Sequence, residues 1–159
     1  MNNLFKITLI FCFTVFYHIA SAQDITGEWH GILRQEEGGV TDYYNFTLNL
    51  IQDGNNIKGT SRVNLPDNPD FFAIMELKGR FKDDVLTFSE SKIINQKTYN
   101  GLEWCIKKSE LAFTFKKGGF CMEGNWSGVA RTGDSCTPGT IKLCKIVPMA
   151  KKEIFKTNN

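Results

Sequence analysis

From Tyr44 the chain alternates. Tyr44, Phe46, Leu48 and Leu50 are apolar, while Asn45, Thr47 and Asn49 are polar. A repeat of two residues is that of a strand with one dry and one wet face. Asp53-Gly54-Asn55-Asn56 interrupts it with residues that tolerate positive φ, a hairpin signal, and Ile57, Gly59, Ser61 and Val63 carry the return. Past a loop holding Pro66 and Pro69, one face carries Phe71, Ala73, Met75, Leu77, Gly79 and Phe81. Asp83-Asp84 turns the chain into Leu86 and Phe88. Leu111, Phe113 and Phe115 lead to a Lys116-Lys117-Gly118-Gly119 turn; Phe120, Met122, Gly124, Trp126 and Gly128 return, and Ile141, Leu143 and Val147 close the series. The pattern predicts eight strands, at about 26–34, 43–52, 56–63, 71–82, 85–94, 107–115, 119–128 and 139–147. Outside a single turn's worth in 149–156, no segment keeps a helical period. Sequential strands joined by tight turns favour an all-β, antiparallel up-and-down barrel, which closes its own edges. A two-sheet sandwich with Greek-key crossovers is the competing architecture.

Residues 1–22 read as an export signal. Lys6 supplies positive charge, Ile7 to Ile19 is largely apolar, and Ala20-Ser21-Ala22 is a cleavage site, so the mature chain begins at Gln23. The apolar run is shorter than the ~20 residues a membrane span needs. The expected organisation is a signal peptide at 1–22, one barrel domain at 23–148 and a basic tail at 149–159, in a monomer secreted or held in the periplasm. The net charge of +2 for the whole chain drops by one when Lys6 leaves, which argues against nucleic acid as a partner.

Cys12 leaves with the signal, and Cys105, Cys121, Cys136 and Cys144 remain. An even number in an oxidising compartment suggests two disulfides. Zinc is the rival reading, but the spacings of 16, 15 and 8 residues contain no close Cys pair. Strand arithmetic pairs the cysteines. If strands six and seven turn near Lys117-Gly118, Cys105 lies level with residue 130, beside the loop holding Cys136. Strands seven and eight bring Cys144 near residue 124, within a diagonal of Cys121. The expectation is Cys105–Cys136 and Cys121–Cys144; Cys105–Cys121 with Cys136–Cys144 is the alternative.

Little in the sequence suggests catalysis. His30 is the sole histidine of the mature chain and alternates to the face opposite Trp29, toward solvent. There is no nucleophile elbow, phosphate loop or zinc-protease motif. The pairs Glu36-Glu37 and Asp83-Asp84 sit at turns. Glu90 shares a face with Leu86 and Phe88, which makes it either an interior polar anchor or a solvated acid where the strand leaves the core. Arg62, Arg80 and Lys92 are its nearest candidate partners by strand level. Tyr43, Tyr44, Tyr99 and Trp104 flank loops, and Asn95 through Cys105 forms a long aromatic segment suited to a lid. Gly27-Glu28-Trp29-His30-Gly31 echoes Gly124-Asn125-Trp126-Ser127-Gly128. Period two puts both tryptophans inward, as plugs of the interior.

Ile25-Thr26-Gly27-Glu28-Trp29, followed by an amphipathic strand and Asp53-Gly54-Asn55-Asn56-Ile57-Lys58-Gly59-Thr60, resembles the opening of calycin barrels. The first-strand Gly-x-Trp is similar to that of lipocalins, and the wider run to avidin-like proteins. Trp104-Cys105-Ile106-Lys107 and Cys136-Thr137-Pro138-Gly139 resemble small secreted bacterial β-proteins. The resemblance implies an eight-stranded barrel. It does not carry biotin binding, because His30-Gly31-Ile32 replaces the Asn of avidin-type sites. Lipocalins also place an Arg near the end of the last strand over the first-strand Trp, where this chain has Lys142 and Lys145.

The expected function is a non-enzymatic binding protein, without cofactor or metal, holding a small, largely apolar ligand inside the barrel. Trp29, Tyr44, Phe88, Glu90, Trp104 and Trp126 are the candidate ligand contacts. The alternative is a protein-interaction or inhibitor module of the cell envelope that acts through its loops around a filled barrel.

Overall fold

A computed structural model describes residues 23–98, 102–116 and 118–146. The expected signal at 1–22 and basic tail at 149–159 lie outside the described residues. Eight strands run in chain order: β1 (Gly27–Gln35), β2 (Tyr44–Asp53), β3 (Asn56–Asn64), β4 (Phe72–Lys82), β5 (Val85–Lys97), β6 (Ile106–Lys116), β7 (Gly119–Val129) and β8 (Ser135–Ile146). Each pairs antiparallel with the next, and β8 returns to β1, closing an up-and-down barrel. Closure removes the four edges that a two-sheet sandwich of these strands would expose.

The alternation explains the inside. Tyr44, Phe46, Leu48 and Leu50 of β2 are all buried, while Asn45 and Asn49 between them are exposed. Leu48, Leu77, Phe88, Leu111, Met122 and Leu143 meet in mid-barrel as part of one continuous core. The two Gly-x-Trp-x-Gly repeats do point inward, and their glycines serve close strand contact. A Cβ on Gly31 would sit 1.9 Å from the Lys142 carbonyl oxygen, and one on Gly124 2.0 Å from that of Glu110.

The two barrel ends differ because their connections differ. At one end the hairpins are tight. Gly54 has φ 58°, and Asp83 and Asp84 have φ 52° and 59°, the consecutive left-handed residues that a type I′ turn requires. The segment before β1 seals this end. Ile25 is fully buried; its N–H donates to Gln52 Oε1 at 2.9 Å, and its carbonyl accepts from Trp29 Nε1 at 2.8 Å. Lys145 supplies the cover that its sequence position left open. Its Nζ lies 5.8 Å from the Trp29 ring centroid and donates to the Thr26 carbonyl. Phe113 joins this floor, edge-on to Trp29 at 6.0 Å and stacked on Phe120 at 5.2 Å. The opposite end carries the four longer connections, 36–43, 65–71, 98–105 and 130–134.

The strand bounds depart from expectation in two places. β8 begins at Ser135 rather than 139. Ala130 N–H donates to the Asp134 carbonyl at 2.9 Å, which completes the turn early. Pro138, which reads as a strand breaker, falls in a bulge of β8, where Thr137 and Pro138 together oppose Ser127, a place that tolerates a missing N–H. The register therefore sets Cys121 directly opposite Cys144 rather than on a diagonal. Both expected bridges are present, Cys105–Cys136 and Cys121–Cys144, with Cα separations of 6.3 and 4.0 Å. Such bonds belong to oxidising compartments. β5 runs on to Lys97 instead of stopping near 94, so the connection after it is 98–105 rather than 95–105.

β5 and β6 pair only along Val85–Ser89, opposite Lys108–Ala112. Beyond Ser89 the strand bulges twice, at Ser91 and Ile94 in its pairing with β4, and bends away from β6. The two strands part at Glu90, toward the end with the long connections.

Candidate functional site

Glu90 is buried, and its side chain is fully screened from solvent. The expected partners are not the real ones. Arg62 lies outside, with its guanidinium 4.2 Å from the Phe72 ring centroid; Lys92 pairs with Glu76 at 3.1 Å on the outer face; Arg80 is exposed. Arg62 and Arg80 alternate to the outer faces of their strands, whereas Lys92 is in step with Leu86, Phe88 and Glu90 by count and is turned outward by the bulge at Ser91. The partner is Lys107, whose Nζ lies 3.0 Å from Glu90 Oε2 with only 3 % of its side chain exposed. The same carboxylate oxygen accepts the Lys107 backbone N–H at 2.7 Å, and Oε1 accepts from the Ser61 hydroxyl. Where β5 and β6 cease to pair, the Glu90 carboxylate thus replaces a backbone acceptor that the ladder no longer supplies.

Lys107 is held on every side. Its Nζ also donates to the Cys105 carbonyl at 2.9 Å and approaches Met75 Sδ at 3.5 Å, and it lies 5.6 Å from the Phe46 ring centroid. Two of the Nζ contacts are to strong oxygen acceptors and the third is to the weaker Met75 thioether, so the buried charge is compensated by Glu90 and the Cys105 carbonyl. No described buried side-chain nitrogen or oxygen lacks a partner.

Above this pair, between the long connections, is a cavity of about 140 Å³. Leu33, Tyr44, Val63, Trp126 and Lys107 form its barrel wall, and Val40, Leu65, Phe71, Leu102 and Trp104 close over it from the loops. Tyr44 and Trp104 meet edge to face at 6.2 Å. Burial raises the Tyr44 hydroxyl above its ordinary pKa of 10.0, with a small opposing effect from the Val40 N–H that it accepts at 3.3 Å. The hydroxyl therefore keeps its proton. Trp126 Nε1 donates to the Arg34 carbonyl at 2.8 Å, which fixes the indole in the wall. The Cys105–Cys136 bridge ties the end of the 98–105 connection to β8.

Of the candidate contacts, Tyr44, Trp104 and Trp126 are brought together around this cavity. Trp29 is not; it plugs the sealed end, 1 % exposed. Phe88 is not; it belongs to the mid-barrel core. Glu90 lies behind Lys107 and reaches the cavity only through it. Ser61 and Lys107 are the residues that sequence reasoning passed over. Ser61 was placed on the inward face, though without a role. Lys107 carries a signal of the same kind, because it alternates with the buried Ser109 and Leu111. His30 is exposed on the outer face, 3.6 Å from the equally exposed Glu28 carboxylate and away from the cavity. Among the described residues no group of three or more His, Cys, Asp or Glu is placed to hold a metal, and no helix is long and apolar enough to cross a membrane. No family model, no curated protein and no solved structure matches this chain; its closed eight-stranded antiparallel barrel is compatible with a calycin-like fold.

Proposed function

We propose that this is a secreted, non-enzymatic binding protein that holds one small, mainly apolar molecule at the open end of its barrel. The observation that carries the reading is the cavity of about 140 Å³, walled by Leu33, Val63, Trp126 and Tyr44 and floored by a buried lysine. The lysine at its base gives an otherwise apolar recess a polar group that can orient an occupant. The mid-barrel is filled with side chains, so the occupant sits in the mouth and not in a deep cup. A void of this size, about that of an engineered cavity that takes benzene, suits a single-ring molecule.

The test is two-dimensional NMR of the oxidised mature chain, titrated with a single-ring aromatic probe. Saturable shifts confined to the Trp104 and Trp126 indoles and to Tyr44, abolished by the cavity-filling Val63→Phe, are expected. Scattered, non-saturating shifts would refute the carrier reading. They would favour the second reading, a protein-binding module, which draws on the exposed Val40, Tyr43 and Leu102 at the same end, at 55 %, 38 % and 39 %.

A further inference from the structure

The wall of the cavity is one-sided in its hydrogen bonding. Three lining side chains are both buried and polar: Lys107, Tyr44 and Trp126. Each presents a donor. Trp126 has committed its N–H to Arg34. Lys107 has strong acceptors at Glu90 and at the Cys105 carbonyl, but its third contact is the Met75 thioether at 3.5 Å. A thioether is a weak acceptor that an oxygen readily displaces. The Tyr44 hydroxyl accepts from Val40 and donates to none of the described residues. Two donors are therefore available to an occupant. Among the described lining residues, side-chain acceptors other than the Tyr44 oxygen lie toward the rim, at Gln35, Thr98 and the exposed Glu103.

The charges sum to a second constraint. Glu90 already neutralises Lys107, so an anion entering the cavity would be buried without a charge of its own, and the Glu103 carboxylate at the rim would repel it. A cation would meet the lysine and a wall of donors. Either would be an uncompensated buried charge, which is expensive. A hydrocarbon would leave the Tyr44 donor unused.

We propose that the cavity takes a compact neutral molecule, mostly apolar, that carries one acceptor oxygen, as an aryl ketone, ester or ether does. This rests on the carrier reading.

Four probes of matched shape separate the possibilities: acetophenone, its hydrocarbon isostere α-methylstyrene, benzoate and benzamidinium. Affinities are measured by NMR titration on the oxidised mature chain. Acetophenone is expected to bind about tenfold more tightly than either ion. Its advantage relative to α-methylstyrene is expected to fall about tenfold in the Glu90→Gln/Lys107→Met double variant, the effect of losing one charge-assisted hydrogen bond. Comparing the ratio between proteins cancels the intrinsic hydrophobicity of the two probes. Two further readouts do not depend on that variant folding. The bound acetophenone carbonyl stretch should lie below its value in hexane, and Tyr44→Phe should move it part of the way back. An unchanged ratio, a hexane-like stretch, or benzoate or benzamidinium binding as tightly as the ketone would overturn the ligand class while leaving the carrier reading intact. Failure of all four probes to bind would overturn both.

Discussion

The Glu90–Lys107 pair offers the sharpest test of how this barrel is held together. Consider Lys107→Met. The side chain stays unbranched, is one atom shorter and loses its charge, so packing against Phe46 and Met75 is largely preserved while Glu90 loses its counter-ion. On a protein surface such a pair is worth about 0–1 kcal/mol. Here the partners are 3 % and 0 % exposed, and stripping one partner from a buried pair costs about 3–5 kcal/mol. Glu90 would still accept from Ser61 and from the backbone N–H of residue 107, so the loss should fall near the lower figure, about 3 kcal/mol. Adding Glu90→Gln removes the stranded charge, and the double variant should return to within about 1 kcal/mol of the parent, because a neutral pair needs no counter-ion. Equilibrium unfolding in urea of the oxidised proteins measures both, with unchanged slopes confirming that the same surface is exposed. If Lys107→Met is within about 1 kcal/mol of the parent, or if the double variant loses as much as the two single variants together, the buried pair is not what constrains this region.

Other parts of the fold make independent predictions. Gly31→Ala places a Cβ 1.9 Å from the Lys142 carbonyl oxygen, so it should cost about 1–3 kcal/mol or more by forcing β1 from β8. Gly118→Ala, at φ 99° with nothing near, should cost about 1–2 kcal/mol from backbone strain alone; urea midpoints will rank them. The two bridges close loops of 23 and 31 residues and each should contribute about 3–4 kcal/mol. Only Cys105→Ser/Cys136→Ser should also weaken acetophenone binding, because it alone frees a loop that lines the cavity; equal affinity in the two double-serine variants would refute this. The Glu123 carboxyl sits below its ordinary value of 4.5, chiefly through the Lys116 hydrogen bond and charge. Its stabilising effect is therefore present above that value and lost as pH falls through the lower folded value. An NMR titration should place its midpoint below that of the same residue in Lys116→Met.

The barrel was legible because its information is local. Inward positions such as Phe46, Leu48 and Leu50 declare themselves by period two, and Gly54 and Asp83-Asp84 by the positive φ their turns demand. The disulfide pairing followed from counting back across the tight β6–β7 hairpin. Counting failed at the β7–β8 connection, because β8 begins at Ser135 rather than 139 and Pro138 lies within it. A bulge absorbs it, and a bulge is a property of two strands together.

The site was only partly legible, for the same reason. Tyr44, Trp104 and Trp126 were recognisable as aromatics near barrel ends, and Glu90 as an acid on a dry face. Trp29 was expected to play both plug and ligand contact; the sealed end assigns it to the plug alone. The partner of Glu90 was missed because two bulges in β5 and the 98–105 connection defeat any count from β5 to β6.

The order of polar and apolar residues thus determines by itself that this chain makes eight strands, which face of each is dry, and where the tight turns fall, because each depends on neighbours a few residues apart. Which end of the barrel stays open, and that a buried lysine rather than an outer arginine answers Glu90, were decided only in the closed tertiary structure. There the parting of β5 from β6 removes a backbone acceptor, and a carboxylate must take its place.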